Sequence, residues 1–196
     1  MTGMDEKKLE IPSLDLLRAE LARVEAEREF RRLMLTIAGI LTVTAAIAAL
    51  LVTRFFMFLE VNGSSMMPTL EEREIIFLYQ TKTVEVGDVI GFYYGGEVLL
   101  KRVIGSAGDY IEIDQEGNVY VNGEIMEEPY LAEKDFGKCN LEFPYQVPEG
   151  MIFVLGDNRA ESVDSRMKAI GCVERSQIVG KIICRVWPLG RMEIVE

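Results

Sequence analysis

The chain has 196 residues, 49% of them apolar and 27% charged, enough for one domain with its own core plus an appendage and too well mixed for a low-complexity chain. Its formal net charge of −11 argues against a nucleic-acid partner, because phosphate contacts need a basic face. It contains no histidine, which excludes every Ser-His-Asp or Cys-His arrangement and removes the commonest zinc ligand.

From the N-terminal side, the first patterned stretch is Ser13 to Arg32. Ser13 is an N-cap candidate, and Leu14, Leu17, Leu21 and Val24 recur at steps of three and four, predicting an amphipathic helix. Such a helix lies on a membrane, pairs with a partner helix, or stands as a solvated extension. Leu33 to Thr53 then runs 21 residues without a charge. At about 1.5 Å per residue this reaches roughly 30 Å, the thickness of a bilayer's hydrocarbon core. It starts too far into the chain and is too long for a cleaved signal peptide, so a transmembrane helix is expected. Arg18, Arg23, Arg28, Arg31 and Arg32 precede it, against Arg54 and Arg73 after it. Positive flanks stay in the cytoplasm, which predicts a cytoplasmic segment 1–32, a span 33–53 and an extracytoplasmic domain 54–196 in the cell membrane. Phe55, Phe56 and Phe58 would mark the exit interface.

The outer part reads as β-rich. Strands are predicted at 75–79, 88–94, 98–104, 110–113, 119–121, 151–155 and 178–187, with Asn122-Gly123 as a two-residue hairpin turn. Short strands with glycine-marked turns predict a mainly β, antiparallel sheet or barrel-like domain. Cys139, Cys172 and Cys184 show no metal-site spacing; they read as small buried hydrophobes, with a Cys172–Cys184 disulfide as the alternative.

Three clusters carry chemistry. VNGSSMMPTL, 61–70, puts a serine in a turn bracketed by Gly63 and Pro68; taken alone, such a serine is usually structural. VLLKRVIGSAGD contains Lys101, which on an alternating strand shares a face with Leu99 and Val103. Apolar neighbours disfavour the ammonium form. To serve as a base near neutral pH the lysine must drop about 3 units, at a cost of about 4 kcal/mol. Spacing alone would make it an ordinary surface lysine. GDNRAESVDSR, 156–166, follows an apolar strand and can hold a hydrogen-bond network. It lacks the ligand spacing of a calcium loop.

In this order, VNGSSMMPTL, KRVIGSAGD and GDNRAESVDSR resemble the signature boxes of bacterial type I signal peptidases, and the likeness extends from about residue 58 to 190, most closely to single-span Gram-positive forms. The resemblance implies a serine endopeptidase that removes signal peptides from secreted preproteins after an Ala-X-Ala site, with preproteins and membrane lipid as partners and no cofactor or metal. It implies Ser65, not Ser64, as nucleophile and Lys101 as general base through an acyl-enzyme. Ser162 and Asp164 take the positions that order the lysine, while Asp157, Arg102 and Arg166 brace the loop. The Ser65 amide becomes the oxyanion donor, and Met66, Leu70, Leu99 and Leu100 wall the substrate pockets. Two departures stand out: Gly63, where some members carry a hydroxyl that helps the oxyanion, and Ala107, where many carry proline. Self-cleaving repressor proteases share this type of core but carry a DNA-binding domain, which the charge disfavours. A non-catalytic membrane-tethered β-domain would be expected to have lost the serine or the lysine.

Overall fold

The computed structural model describes residues 13–195. The chain divides into two compact units meeting at Leu51 and Val52.

The first unit is a helix. α1 runs without a break from Leu14 to Phe55, 42 residues or roughly 63 Å, so the predicted amphipathic and apolar segments are one continuous helix. The first twelve residues of the segment 1–32 lie outside the described residues. Ser13 caps α1 as expected, its Oγ accepting from Leu16 N–H at 3.4 Å. Within the apolar run the hydroxyls of Thr36, Thr42 and Thr44 each donate to the carbonyl four residues earlier, at 2.8–2.9 Å. The run therefore offers few unsatisfied polar groups, which is what a hydrocarbon solvent requires. None of α1 is buried, and it is long and apolar enough to cross a membrane.

The second unit is built from antiparallel sheets. The larger joins β1 (Phe56–Glu60), β2 (Ile75–Tyr79), β11 (Ile178–Trp187), β3 (Val89–Tyr94), β4 (Glu97–Ser106), β9 (Met151–Leu155) and β10 (Val173–Glu174) in that spatial order, with β12 (Glu193–Ile194) also on β11. The smaller orders β7 (Glu124–Ile125), β6 (Val119–Val121), β5 (Tyr110–Ile113) and β8 (Tyr145–Gln146). The Asn122-Gly123 turn closes the β6–β7 hairpin with φ of 55° and 83°, the left-handed pair that a two-residue hairpin favours. Every long predicted strand is present. Phe56 and Phe58, expected at the exit interface, belong to β1, a strand the sequence pattern does not predict, and pack on Phe77 of β2 with ring centroids 4.9 and 5.1 Å apart.

The sheets enclose separate cores that β4 and β9 share by alternation. In β9, Ile152 and Val154 enter one cluster with Ile90, Phe92, Val103 and Ile178. Phe153 and Leu155 point the other way, joining Ile104 of β4 and Ile111, Ile113 and Val119 of the small sheet. Burial on both faces makes β9 an unbroken apolar run, whereas β5, YIEI, is buried only at alternate positions. Each fully buried aliphatic chain contributes about 1.5–3 kcal/mol. β4 is therefore gripped on both sides along its second half. The three cysteines are free thiols; Cys172 packs against the second of these cores, and burial pushes its thiol up to about 11.

Candidate active site

Lys101 lies on β4 between Leu99 and Val103, which both pack into the first core, and only 3% of it is exposed. Its Nζ donates to Ser65 Oγ at 2.8 Å and to its neighbour's carbonyl, Leu100 O, at 2.9 Å. Burial disfavours the ammonium and brings the amine from 10.5 down to about 8. The carboxylates of Asp164 and Asp157 pull it back up, and the Arg166 guanidinium pushes it further down.

Ser65 is presented by the turn between β1 and β2, which is docked onto the 156–166 loop by contacts across the fold. Asn158 N–H donates to Ser65 O at 3.1 Å, and its side-chain amide donates to Ser64 O at 3.2 Å. Thr69 Oγ1 donates to Asp157 at 2.5 Å, and Ser64 Oγ to Glu161 at 2.7 Å. Ser64 is thereby turned to Glu161 while Ser65 faces the amine. The Ser65 N–H donates no hydrogen bond among the described residues, so it is free to bind a developing oxyanion. Gly63 supplies no hydroxyl there.

Below these groups lies a buried ionic floor. Arg102 and Asp157 form a two-pronged pair at 3.0 and 2.8 Å, with both side chains essentially inaccessible. Arg166 holds both Asp164 oxygens, at 2.9 and 2.8 Å, and reaches Phe136 O and Arg159 O. The loop bracing expected of Asp157, Arg102 and Arg166 thus takes the form of two separate ion pairs. Ser162 and Asp164, expected to order the lysine by hydrogen bonds, make none to it among the described residues. The Asp164 oxygens are occupied by Arg166 and by Gly156 N–H, so its influence on Lys101 is through charge alone. The Ser162 hydroxyl is completely buried without a partner. It lies against Gly156, where a Cβ would fall 2.2 Å from Ser162 Oγ and 2.5 Å from Ser65 O. That position tolerates only glycine.

A cleft of about 460 Å³ opens on Ser65 and Lys101. One wall is 59–63 and the other is 97–101, including Leu99 and Leu100, with Met66 at its base. Leu70 is displaced from its expected role: it is fully buried in a core with Val61, Ile76 and Leu78, because the turn folds it inward beneath Met66. The second half of β4 is paired to β9 from Arg102 onward, whereas Glu97–Lys101 pairs only with β3. The cleft wall is therefore a strand edge with unspent backbone groups.

Thr69, Asn158, Arg159 and Glu161 lie inside the boxes the sequence singled out, but the partners of these residues were not readable there, and Glu128 and Tyr130 carried no signal at all. Their partners lie tens of residues away, and ion-pair partners leave no periodic trace.

A seryl hydroxyl 2.8 Å from a buried amine, on an antiparallel scaffold and in a chain without imidazole, is the arrangement that a hydrolase with a lysine base requires. Comparison with known proteins narrows the class. The family model described as "Signal peptidase, peptidase S26" matches residues 34–187, and the chain belongs to that family of serine peptidases. It is similar to signal peptidase I of Bacillus caldolyticus, 38% identical over 161 residues that cover 73% of this chain and 87% of the relative. It is also similar to signal peptidase I S of Bacillus subtilis (strain 168), 34% identical over 163 residues covering 76% and 88%. A solved signal peptidase I from Enterococcus faecalis V583 is 31% identical, covers 50% of this chain and 96% of its own, and has a TM-score of 0.44.

Proposed function

We propose that this chain removes signal peptides from exported preproteins by acyl transfer to Ser65, with Lys101 as general base. The observation that carries the assignment is the 2.8 Å contact between Ser65 Oγ and an amine lowered to about 8 by burial. In the neutral amine the hydrogen bond reverses: the Ser65 hydroxyl donates to Nζ, and Nζ takes the proton as Oγ attacks the scissile carbonyl. The resulting ammonium returns that proton to the leaving amine, the acyl group stays on Oγ, and water activated by the same lysine releases it. The Ser65 N–H is the oxyanion donor.

The cleft supports an extended peptide as substrate. A chain laid along 97–101 would add a strand to the free edge of β4 and bring its scissile bond to Ser65. Leu99 and Leu100 then offer apolar contacts suited to small side chains ahead of the cut. We further assign α1 as a plasma-membrane anchor in contact with lipid, the N-terminus cytoplasmic and the peptidase domain outside, on the strength of its uncharged run and the five arginines before it. Tethering enzyme and membrane-held substrate to one surface replaces a three-dimensional search.

The test is cleavage of a preprotein bearing an Ala-X-Ala site by the detergent-solubilised full chain. Cleavage after the second alanine, lost in Ser65→Ala and in Lys101→Ala, is expected. Cleavage by either variant would overturn the assignment.

A further inference from the structure

Two side chains that take no part in the reaction above reach into its ionic floor. Glu128 and Tyr130 belong to the segment that leaves β7 of the small sheet and passes over the 156–166 loop. The Glu128 carboxylate is buried against the equally buried guanidinium of Arg159, which also donates to Gly156 O at 3.1 Å. Tyr130 donates its hydroxyl to Glu128 at 2.9 Å. Arg102 stands over the Tyr130 ring, with Cζ 3.8 Å from the ring centroid. Arg102 follows Lys101 in β4 and is held by Asp157 on one side and Gly87 O, at 2.8 Å, on the other. Asp157 in turn holds Thr69 of the nucleophile turn. The aromatic face thus supports the guanidinium through which Asp157 and Thr69 link the strand bearing the base to the turn bearing the nucleophile.

We propose that Tyr130, seated by Glu128, is a positioning residue for the Ser65–Lys101 pair, holding Arg102 in the plane where it neutralises Asp157 and ties the nucleophile turn to β4. The inference rests on the Ser65–Lys101 reading. It separates from mere core filling through charge. The charged groups acting on Lys101 are Asp164, Asp157 and Arg166, with Arg102 beside them holding Asp157. Without the aromatic face, Arg102 is free to leave its plane, Asp157 acts on the amine less compensated, and the ammonium is favoured. Activity should then need a higher pH. A filler residue would lower thermal stability and leave that midpoint where it was.

The experiment measures kcat and KM for preprotein cleavage by the full chain from pH 6 to 10, with thermal unfolding in parallel. Tyr130→Leu and Tyr130→Met both remove the aromatic face, so that one failing to fold still leaves a reading. Either is expected to move the rise of kcat to higher pH by roughly half a unit or more. At pH 8, kcat should fall roughly tenfold with KM little changed, as a misplaced nucleophile requires. Tyr130→Phe keeps the ring on Arg102 and should restore the original midpoint. A midpoint unmoved in the folded Leu or Met variant would overturn the proposal, whatever its melting temperature. Ser65→Ala in the same series keeps the two claims apart: cleavage by that variant, or none by the unmodified chain, refutes the underlying reading instead.

Discussion

Replacing Lys101 by methionine should make the enzyme inactive and, near neutral pH, more stable. The amine is lowered from 10.5 to about 8 chiefly because folding takes it out of water. A shift of that size corresponds to about 3 kcal/mol at roughly 1.4 kcal/mol per unit. The group's folded value lies below its unfolded value, so between pH 8 and 10.5 the unfolded chain binds more protons, and stability rises with pH across that window. Below pH 8 the full penalty is present. Methionine has the same reach, no charge and no penalty, but it forfeits the bonds to Ser65 Oγ and Leu100 O, worth about 1 kcal/mol each. At pH 7 the variant should therefore gain about 1 kcal/mol net, or about 2–4 °C in Tm. The advantage should shrink and reverse as pH approaches 10.5, a total change of about 3 kcal/mol. The assay is thermal unfolding of the two solubilised proteins across pH 6 to 10.5, with the kcat/KM profile of the unmodified chain alongside. With a base near 8, about a tenth of the enzyme carries a neutral amine at pH 7 and about nine-tenths at pH 9, so kcat/KM should rise roughly tenfold. A stability difference independent of pH, or a rate still climbing steeply above pH 10, would refute the claim that desolvation activates this lysine.

Other consequences are local. Ser64→Ala should retain cleavage within about threefold while Ser65→Ala loses it, since Ser64 is committed to Glu161; progress curves with preprotein distinguish them. Asp157→Asn should cost about 3–5 kcal/mol in denaturant unfolding, because it leaves Arg102 buried with half a partner. Gly156→Ala should lower kcat at least about a hundredfold, as its methyl group would strike Ser162 Oγ and Ser65 O and push the nucleophile turn away. Gly123→Ala, in a positive-φ turn with open space around it, should lose about 1 kcal/mol and keep its activity; a larger loss would mean the hairpin does more than connect.

The parts of this molecule legible in its sequence are those governed by short-range rules. The strands Ile75–Tyr79, Tyr110–Ile113 and Met151–Leu155 stand at the residues where alternation or an apolar run placed them, and Asn122-Gly123 forms its turn. β1 was hidden because its aromatics continue an apolar helix without a breaking residue, so pattern alone gave Phe56 and Phe58 to the membrane interface. Two-residue strands such as β7 and β10 have no periodicity to read. At the site, the strand neighbours Leu99 and Val103 gave Lys101 an apolar face but spacing alone would have left it a surface lysine; it and Ser65 were legible through the three ordered boxes that resemble a known family. Leu70 was misread: of the two apolar candidates in the nucleophile turn, Met66 borders the cleft and Leu70 only the core, a choice that only the fold decides. The Arg159–Glu128 pair and the Asn158 contacts were invisible, because each joins loops whose proximity is a product of the whole sheet order.

The buried arginines answer a problem that a lysine base creates. A nucleophile without histidine needs a neutral amine near physiological pH, which demands a dry setting, yet the loop beside Lys101 brings two carboxylates, Asp157 and Asp164, that favour the ammonium. Leaving either unpaired would oppose the desolvation that makes the amine a base; removing both would take away the bonds that hold Gly156 and Thr69 in place. Pairing each aspartate with its own buried guanidinium, Arg102 for Asp157 and Arg166 for Asp164, keeps the carboxylates as hydrogen-bond acceptors while opposing part of their field. On this argument the ion pairs are worth little as net stabilisation, since paired charges in a core often only repay their own desolvation. Under the proposed mechanism their worth lies in letting burial dominate at one nitrogen, 2.8 Å from the serine hydroxyl it would deprotonate.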